Sequence, residues 1–364
     1  MRVLIYHTGT EWSGTARAAA TLGRLLDASG AKVTASVRPD SMVEERFAVE
    51  GLDVAALKSQ ASYVEEVQRL RRVIADYFVE VVLVTSAWEH RVAAAAMRLA
   101  GRGAVLRRLR SGERATGWMA DRLSARAVPT GWLFASESDR HSGRVPHDAL
   151  GTAVVPLGIG TSHHDAVKAV SRSEFSFTGG GPTIVCVGDA GVRGRATALL
   201  RAIRLLIPRH PALRLLFVGR GTNDDDLRMH AAALGITRVV RFLGERRDHL
   251  GIMKSADLGW VLAEGDEAAW GCLDFMALKV PLLAPASSVA RLYVADEITG
   301  ILLTQDDGPE SAATMATLLA NAADRRRMGE AAHARVAREF PESAMSEAIV
   351  SVVNLARDRK SWRK

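Results

Sequence analysis

Acidic side chains crowd the segment Leu262-Ala-Glu264-Gly-Asp266-Glu267-Ala-Ala-Trp270-Gly-Cys-Leu-Asp274. Carboxylates of this kind accept hydrogen bonds from sugar or ribose hydroxyls. The pattern predicts a glycine-bearing loop, a helix carrying Asp274 near its start, a turn, and then Pro281 leading a short apolar strand to Pro285. A carboxylate at a helix start is favoured by the helix dipole. A second candidate is the loop His7-Thr-Gly9-Thr-Glu-Trp12-Ser13-Gly14-Thr15, which opens a helix. Glycine, hydroxyl side chains and free backbone N–H groups at such an end hold a phosphate or a carbohydrate hydroxyl. The plainer reading is an ordinary turn with Ser13 or Thr15 as cap. Arg193 and Arg195 offer fixed charge and bidentate donors to phosphate. Arg220 lies in the next strand-to-helix turn, and a solvated loop is the plainer reading of all three arginines.

The elements that would position these residues alternate strand and helix. In the first half, Val3–Tyr6, Lys32–Val37 and Val81–Val84 read as strands, with helices over 15–28, 64–78 and 92–100 between and after them. Leu133–Ser136 and Ala153–Pro156 close that half. The turn-rich joint Thr178-Gly-Gly-Gly-Pro182 follows. The alternation then restarts with strands at 183–188, 213–219, 239–243 and 258–262, and helices at 196–207, 224–234, 249–256 and 273–278. Short strands at 282–284 and 300–303 and helices over 309–340 and 343–357 complete the chain. Such alternation argues for an α/β fold with doubly wound parallel sheets. Two such halves imply a ligand cleft at the carboxyl ends of their strands.

Size and charge narrow the class. A chain of 364 residues exceeds what one core supports. The expected divisions are 1–160, a linker over 161–182, 183–340, and a C-terminal helix over 341–364 that packs back towards the first domain. At 48% hydrophobic and 24% charged residues the composition is that of an ordinary globular protein. No apolar run is long enough to span a membrane. The start reads as a first strand rather than a signal peptide, and Cys186 as a buried thiol, which together suggest a cytoplasmic protein. The net charge is +7, with eight arginines between Arg98 and Arg126 against Glu113 and Asp121. That stretch, Arg110 included, is either solvated surface or a basic face for an anionic acceptor or the inner face of a membrane. No zinc-finger spacing, aromatic sheet motif or basic arm points to nucleic acid.

Taken in order, several segments resemble glycosyltransferases of the GT-B architecture, family 4 type. Val154-Val-Pro-Leu-Gly-Ile159, Phe217-Val-Gly-Arg-Gly-Thr222, Arg241-Phe-Leu-Gly244, Ala256-Asp-Leu258, Asp274-Phe-Met-Ala277 with Pro281, and Thr299-Gly-Ile-Leu302 each look like a piece of that family. The family's two glutamates, separated by seven residues, correspond to Asp266 and Asp274. The resemblance implies two Rossmann-like domains with a deep cleft between them. It also implies transfer of a sugar, with retention, from a UDP-, GDP- or ADP-linked donor to a glycan, lipid-linked or small-molecule acceptor, without metal or cofactor. On the donor side Asp274 would hold the ribose and Asp266, or Glu267, would orient the sugar. Arg193, Arg195 and Arg220 would face the diphosphate, Ser13 and Gly14 would border the donor, and backbone at Gly244-Glu245 would meet the base. Thr85, Ser86, His90 and Arg110 would lie on the acceptor side.

The chain departs from the family at four places. Asp189 stands where an arginine is usual, Thr85 or Ser86 where a histidine is usual, and Lys279 where a glycine precedes the proline. Asp266 replaces a glutamate. These replacements favour an alternative, a catalytically silent binding or scaffold protein. A nucleotide-sugar epimerase would need converging carboxylates and a histidine, and no such set is legible.

Overall fold

Strands buried on both faces need continuous apolar runs, and such runs build two all-parallel sheets here. The computed structural model describes the chain apart from residues 57–61, 112, 114, 116–118, 144, 146–149, 176, 178–179, 189–192, 305–307 and 359–364, and apart from the side chains of residues 56 and 193. The chain divides into two compact units, Met1–Leu157 with Glu342–Lys364, and Gly158–Pro341.

The first unit runs β1 (Arg2–Tyr6), α1 (Gly14–Ala28), β2 (Lys32–Val37), α2 (Met42–Val49), β3 (Asp53–Ala56), α3 (Tyr63–Asp76), β4 (Val81–Val84), α4 (Ala87–Ala100), β5 (Ala104–Arg108), α5 (Met119–Ala127), β6 (Thr130–Phe134), α6 (Glu137–Ser142) and β7 (Gly151–Val154). Its sheet has the order β3-β2-β1-β4-β5-β6-β7, with every pair parallel. The winding reverses between β1 and β4, where Tyr6 pairs with Ser36 on one side and Val84 on the other. Serines start the helices: Ser13, Ser41, Ser62, Ser86 and Ser136 each accept a backbone N–H of the first turn. Ser86 and Glu89 form a reciprocal capping box. It starts α4 at Ala87, five residues before the start expected from its apolar spacing. One core fills the space under α3 and α4 with Leu4, Tyr6, Leu70, Val82, Val92 and Met97.

The second unit runs α7 (Thr161–Ala166), a 3-10 turn at Arg172–Phe175, β8 (Thr183–Val187), α8 (Arg193–Leu206), β9 (Arg214–Val218), α9 (Asp225–Ala233), β10 (Val240–Gly244), α10 (His249–Lys254), β11 (Leu258–Val261), α11 (Gly265–Ala277), β12 (Leu282–Pro285), α12 (Ser288–Tyr293), β13 (Ile301–Leu303), α13 (Gly308–Ala320) and α14 (Ala322–Glu339). The last helix, α15 (Glu342–Arg357), belongs to the first unit and packs on α1, β4 and β5. The second sheet has the order β10-β9-β8-β11-β12-β13, also all parallel, and reverses between β8 and β11. Its core gathers Cys186, Leu199, Leu215, Phe217, Leu258 and Trp260. Asn321 breaks the helix expected over 309–340 by capping α14, its side chain accepting from Ala323 and Asp324 N–H.

One expectation about the acidic segment is overturned. Helix α11 begins at Gly265 rather than near Leu273, because no proline interrupts 265–277 and Ala268 and Ala269 favour helix. Asp266 and Glu267 therefore occupy its first turn, and Asp274 lies near its C-terminal end. The helix dipole favours the first two carboxylates and opposes the third. The turn after α11 explains the glycine usual before Pro281: Lys279 sits at φ 62. The neighbouring α14 comes so close that a Cβ on Gly329 would stand 2.1 Å from the Lys279 carbonyl oxygen. His333 Nδ1 donates to the Ala277 carbonyl at 3.0 Å, closing an otherwise open helix end. Among the described residues no helix is long and apolar enough to cross a membrane.

Candidate functional site

In the second unit the strand ends around the winding reversal are drawn together by glycines. Gly188 follows β8 at φ 133, and a Cβ there would lie 2.9 Å from the Ala263 nitrogen. Gly219 follows β9 at φ 128, where a Cβ would meet the Gly188 carbonyl oxygen at 2.2 Å. Its N–H donates to the Gly244 carbonyl at 2.9 Å. The buried Thr222 hydroxyl accepts from Gly244 N–H at 3.2 Å and donates to the Gly219 carbonyl at 2.8 Å. Arg220, half-buried, rides on this turn, and Glu245 is exposed just beyond β10.

Helix α8 starts directly after the segment 189–192, so its N-terminus stands at the carboxyl end of β8. Arg195 in its first turn places Nη1 3.1 Å from Glu264 Oε1, the residue capping α11. A guanidinium, a helix N-terminus and an acidic first turn thus meet at the β8/β11 switch point, the usual ligand position in such sheets. Asp189 and the Arg193 side chain lie outside the described residues.

Asp266 and Asp274 are both buried, but eight residues of helix separate them by about 12 Å along the axis. Asp274 has a partner that sequence reasoning missed. His164, on α7, brings Nε2 within 2.9 Å of Asp274 Oδ1, and its Nδ1 lies 3.2 Å from the Gly160 carbonyl. A carbonyl and a carboxylate both accept, so the ring N–H has an acceptor on either nitrogen and the imidazole is fixed between Gly160 and Asp274. Lys254 Nζ donates to the carbonyls of His164 and Asp165 and fixes the end of α7. Cys272, between the two aspartates, is fully buried, and burial pushes its thiol up to about 12. Cys186 is buried as well, and no disulfide joins the two cysteines.

In the first unit the candidates separate into two groups. Ser13 caps α1, its hydroxyl accepting from Ala16 N–H at 3.2 Å, and Gly14 is buried behind it. Thr85 and Ser86 join β4 to α4 and donate their N–H groups to Glu89. His7, at the end of β1, completes this cluster with Nδ1 3.0 Å from Thr85 Oγ1. Neither His7 nor Glu89 was singled out from sequence, although the Ser86-x-x-Glu89 spacing is a legible capping signal. Arg110, just past β5, is largely exposed and pairs loosely with Glu113 at 3.6 Å. His90 belongs elsewhere. It is fully buried, edge-on to Trp132 at 5.3 Å, with Nε2 3.3 Å from Thr130 Oγ1. Burial first, then the charges of Arg107 and Arg91, lower its pKa to about 3. It is a neutral core residue rather than an acceptor contact.

The arginine-rich stretch is also divided. Arg107 and Arg108 are buried strand residues, and Arg107 donates to Glu113 at 2.5 Å while lying over the Trp132 ring. Arg98, Arg102, Arg122 and Arg126 are exposed, as are Leu99, Met119 and Leu123.

Residues 168–335 match the family described as glycosyl transferases group 1. Over 187 residues the chain is 22% identical to the lipopolysaccharide core biosynthesis glycosyltransferase LpsE of Rhizobium meliloti, covering 51% of this chain and 54% of that protein. Over 142 residues it is 31% identical to the D-inositol 3-phosphate glycosyltransferase of Corynebacterium aurimucosum, covering 37% of this chain and 34% of that one. The chain thus spans about half or less of the curated relatives it matches. The crystal structure of Anabaena HepE in complex with UDP and glucose is similar with a TM-score of 0.80 at 16% identity, covering 97% of this chain and 99% of that one. Two Rossmann-like parallel-sheet units and the structural likeness lead to one conclusion: the chain has the GT-B fold, and residues 168–335, within its second unit, match the glycosyl transferases group 1 family.

Proposed function

We propose that this chain is a retaining glycosyltransferase that moves a sugar from a nucleotide sugar to a hydroxyl of a carbohydrate, lipid-linked or small-molecule acceptor, without a metal. The observation that carries the reading is the convergence of Arg195, the N-terminus of α8 and the acidic first turn of α11 at the β8/β11 switch point. In glycosyl transfer, negative charge develops on the departing diphosphate. Preorganised cations and N–H groups stabilise it there. Arg193, Arg195 and Arg220 take that role. Asp274, held by His164, accepts from the ribose hydroxyls, and Asp266 or Glu267 orients the donor sugar. Backbone at Gly244 and Glu245 meets the base. The UDP and glucose named with the HepE structure support a UDP-linked donor.

Calorimetric titration with UDP-, GDP- and ADP-linked hexoses tests the reading, followed by detection of free nucleoside diphosphate and a glycosylated product. Failure to bind any of the three overturns it. One observation favours a second reading: Arg195 already pairs with Glu264, as in a protein that binds a nucleotide sugar without turning it over. Binding without release of diphosphate would decide for that reading. The exposed Arg98, Arg102, Arg122 and Arg126 with Leu99, Met119 and Leu123 further support peripheral contact with an anionic membrane, where basic and apolar side chains act together.

A further inference from the structure

A buried threonine hydroxyl joins the turns that follow β9 and β10 in the second unit. Thr222 is 1% exposed. Its Oγ1 accepts from Gly244 N–H at 3.2 Å and donates to the Gly219 carbonyl at 2.8 Å. A hydroxyl has one proton and two lone pairs, so this single atom satisfies a donor on one turn and an acceptor on the other. The Gly244 carbonyl closes the ring of contacts by accepting from Gly219 N–H at 2.9 Å.

Gly244 is thereby held at both ends. Its backbone is left-handed at φ 67, a conformation that costs glycine little. The regular ladder between β9 and β10 stops one residue earlier. Phe242 pairs with Phe217 and Gly244 with Val218, so the register skips Leu243. An irregularity of this kind re-aims the chain at a strand end. The rings of Phe217 and Phe242 stack at 5.2 Å and tie the two strands at the last regular pair. Past that pair the position of the chain is set by the Thr222 and Gly219 contacts.

These contacts aim the next backbone donor. The peptide unit between Gly244 and Glu245 is planar and trans, so the Glu245 N–H points opposite to the Gly244 carbonyl. That carbonyl faces Gly219 N–H, and the Glu245 N–H therefore faces away from the turn after β9. Glu245 is exposed, and its backbone makes no hydrogen bond among the described residues. Gly244 N–H is committed to Thr222, so the first N–H past β10 that is left for a ligand is that of Glu245.

We propose that Thr222 is a positioning residue for the nucleobase of the donor: its hydroxyl locks Gly244 so that the Glu245 N–H is presented to an acceptor atom on the edge of the base. The inference rests on the glycosyl-transfer reading, which puts the base at this strand end. Every protein group in the arrangement belongs to the second unit. Thr222 takes no part in bond making and acts through the backbone of Gly244 and Glu245. Without its hydroxyl, Gly244 N–H and the Gly219 carbonyl lose that partner. An unsatisfied buried N–H is costly, and glycine turns readily to another conformation that relieves it, carrying the Glu245 N–H with it.

The test uses the full chain with UDP-, GDP- and ADP-linked hexoses, and with inorganic pyrophosphate, which carries the phosphates without a base. Affinities are measured by calorimetry for wild type, Thr222→Val and Thr222→Ser. Thr222→Val keeps the shape of the side chain and deletes the hydroxyl. It is expected to weaken binding of the nucleotide sugar that wild type takes by about 10-fold while leaving pyrophosphate within about twofold. Thr222→Ser keeps the hydroxyl and is expected to retain nucleotide-sugar affinity. Amide hydrogen exchange of the wild-type chain gives a second measurement that needs no variant to fold. Gly244 N–H is expected to be protected in the free chain. Glu245 N–H is expected to become protected when the nucleotide sugar binds and not when pyrophosphate is added. Three results each overturn the inference and leave the glycosyl-transfer reading intact: unchanged affinity in Thr222→Val, equal weakening of both ligands by it, or a Glu245 amide that the bound nucleotide sugar leaves unprotected. A wild-type chain that binds none of the three nucleotide sugars overturns both.

Discussion

His164 Nε2 stands 2.9 Å from Asp274 Oδ1, with both side chains almost fully buried in the second unit. The histidine comes from α7, 110 residues earlier in the chain. It gives a hydrogen-bond partner to a carboxyl group near the C-terminal end of a helix, where the dipole opposes negative charge. Breaking a buried pair of this kind by removing one partner costs about 3–5 kcal/mol. His164→Ala and Asp274→Ala are each expected to lower stability by that order, and the double variant by clearly less than the sum. Denaturant unfolding of the three variants checks this. Nucleotide-sugar affinity is expected to fall most in Asp274→Ala, and unchanged affinity would remove Asp274 from the ribose.

Arg195 tests the donor side more directly. If its guanidinium serves the diphosphate, Arg195→Ala should weaken binding of a nucleoside diphosphate about 10-fold or more while leaving the bare nucleoside unaffected. Each 1.4 kcal/mol of charge-assisted contact is a factor of ten in affinity. Equal weakening of both ligands would argue against a phosphate role. Glu264→Gln removes the carboxylate that pairs with Arg195 and is expected to strengthen diphosphate binding.

The acid limb of stability carries the signature of His90. Its folded pKa of about 3 lies below the ordinary histidine value of 6.5. The unfolded chain therefore binds a proton over this window that the folded chain refuses. Stability is full above pH 6.5 and falls as pH drops towards 3. Glu89, whose pKa is also lowered, adds its own loss below the usual carboxylate range. His90→Gln is expected to flatten the curve between pH 6 and about 4.5, and thermal unfolding across that range measures it. An unaltered slope would mean that another group titrates there.

Lys279 holds a left-handed backbone at φ 62. A side chain in that region costs roughly 1–2 kcal/mol, which glycine avoids. Its ion pair with Glu330 at 3.0 Å is largely exposed and contributes little. Lys279→Gly is accordingly expected to raise the thermal midpoint by a few degrees. A lower midpoint would show that the Glu330 contact outweighs the strain.

The exposed basic and apolar side chains on α4 and α5 predict salt-sensitive association with anionic vesicles. Met119→Asp with Leu123→Asp should abolish association at low salt. Arg122→Glu with Arg126→Glu should weaken it and reduce its salt dependence. Co-sedimentation with phosphatidylglycerol vesicles at two ionic strengths separates the apolar from the electrostatic part, and retention of both variants on the vesicles would refute the surface assignment.

The sequence by itself determined the two parallel sheets, because strands such as Val81–Val84 and Thr183–Val187 must be apolar on both faces and the helices between them carry their own caps and periodicity. It also made the acidic segment and the arginines near 193–195 visible, since charge in a strand-to-helix turn stands out against an apolar background. Short elements without strong periodicity, such as α2, β3 and α6, were not legible. The first turns of α4 and α11 were hidden because a capping box or an unbroken alanine run extends a helix beyond its apolar stripe. Tertiary structure alone decided which polar groups meet. His164 and Asp274 lie far apart in sequence, as do His7 and Glu89, and His90 is adjacent to Glu89 yet points into the core. Pairing of this kind follows from sheet order and helix rotation, and neither is written in the local pattern around any one residue.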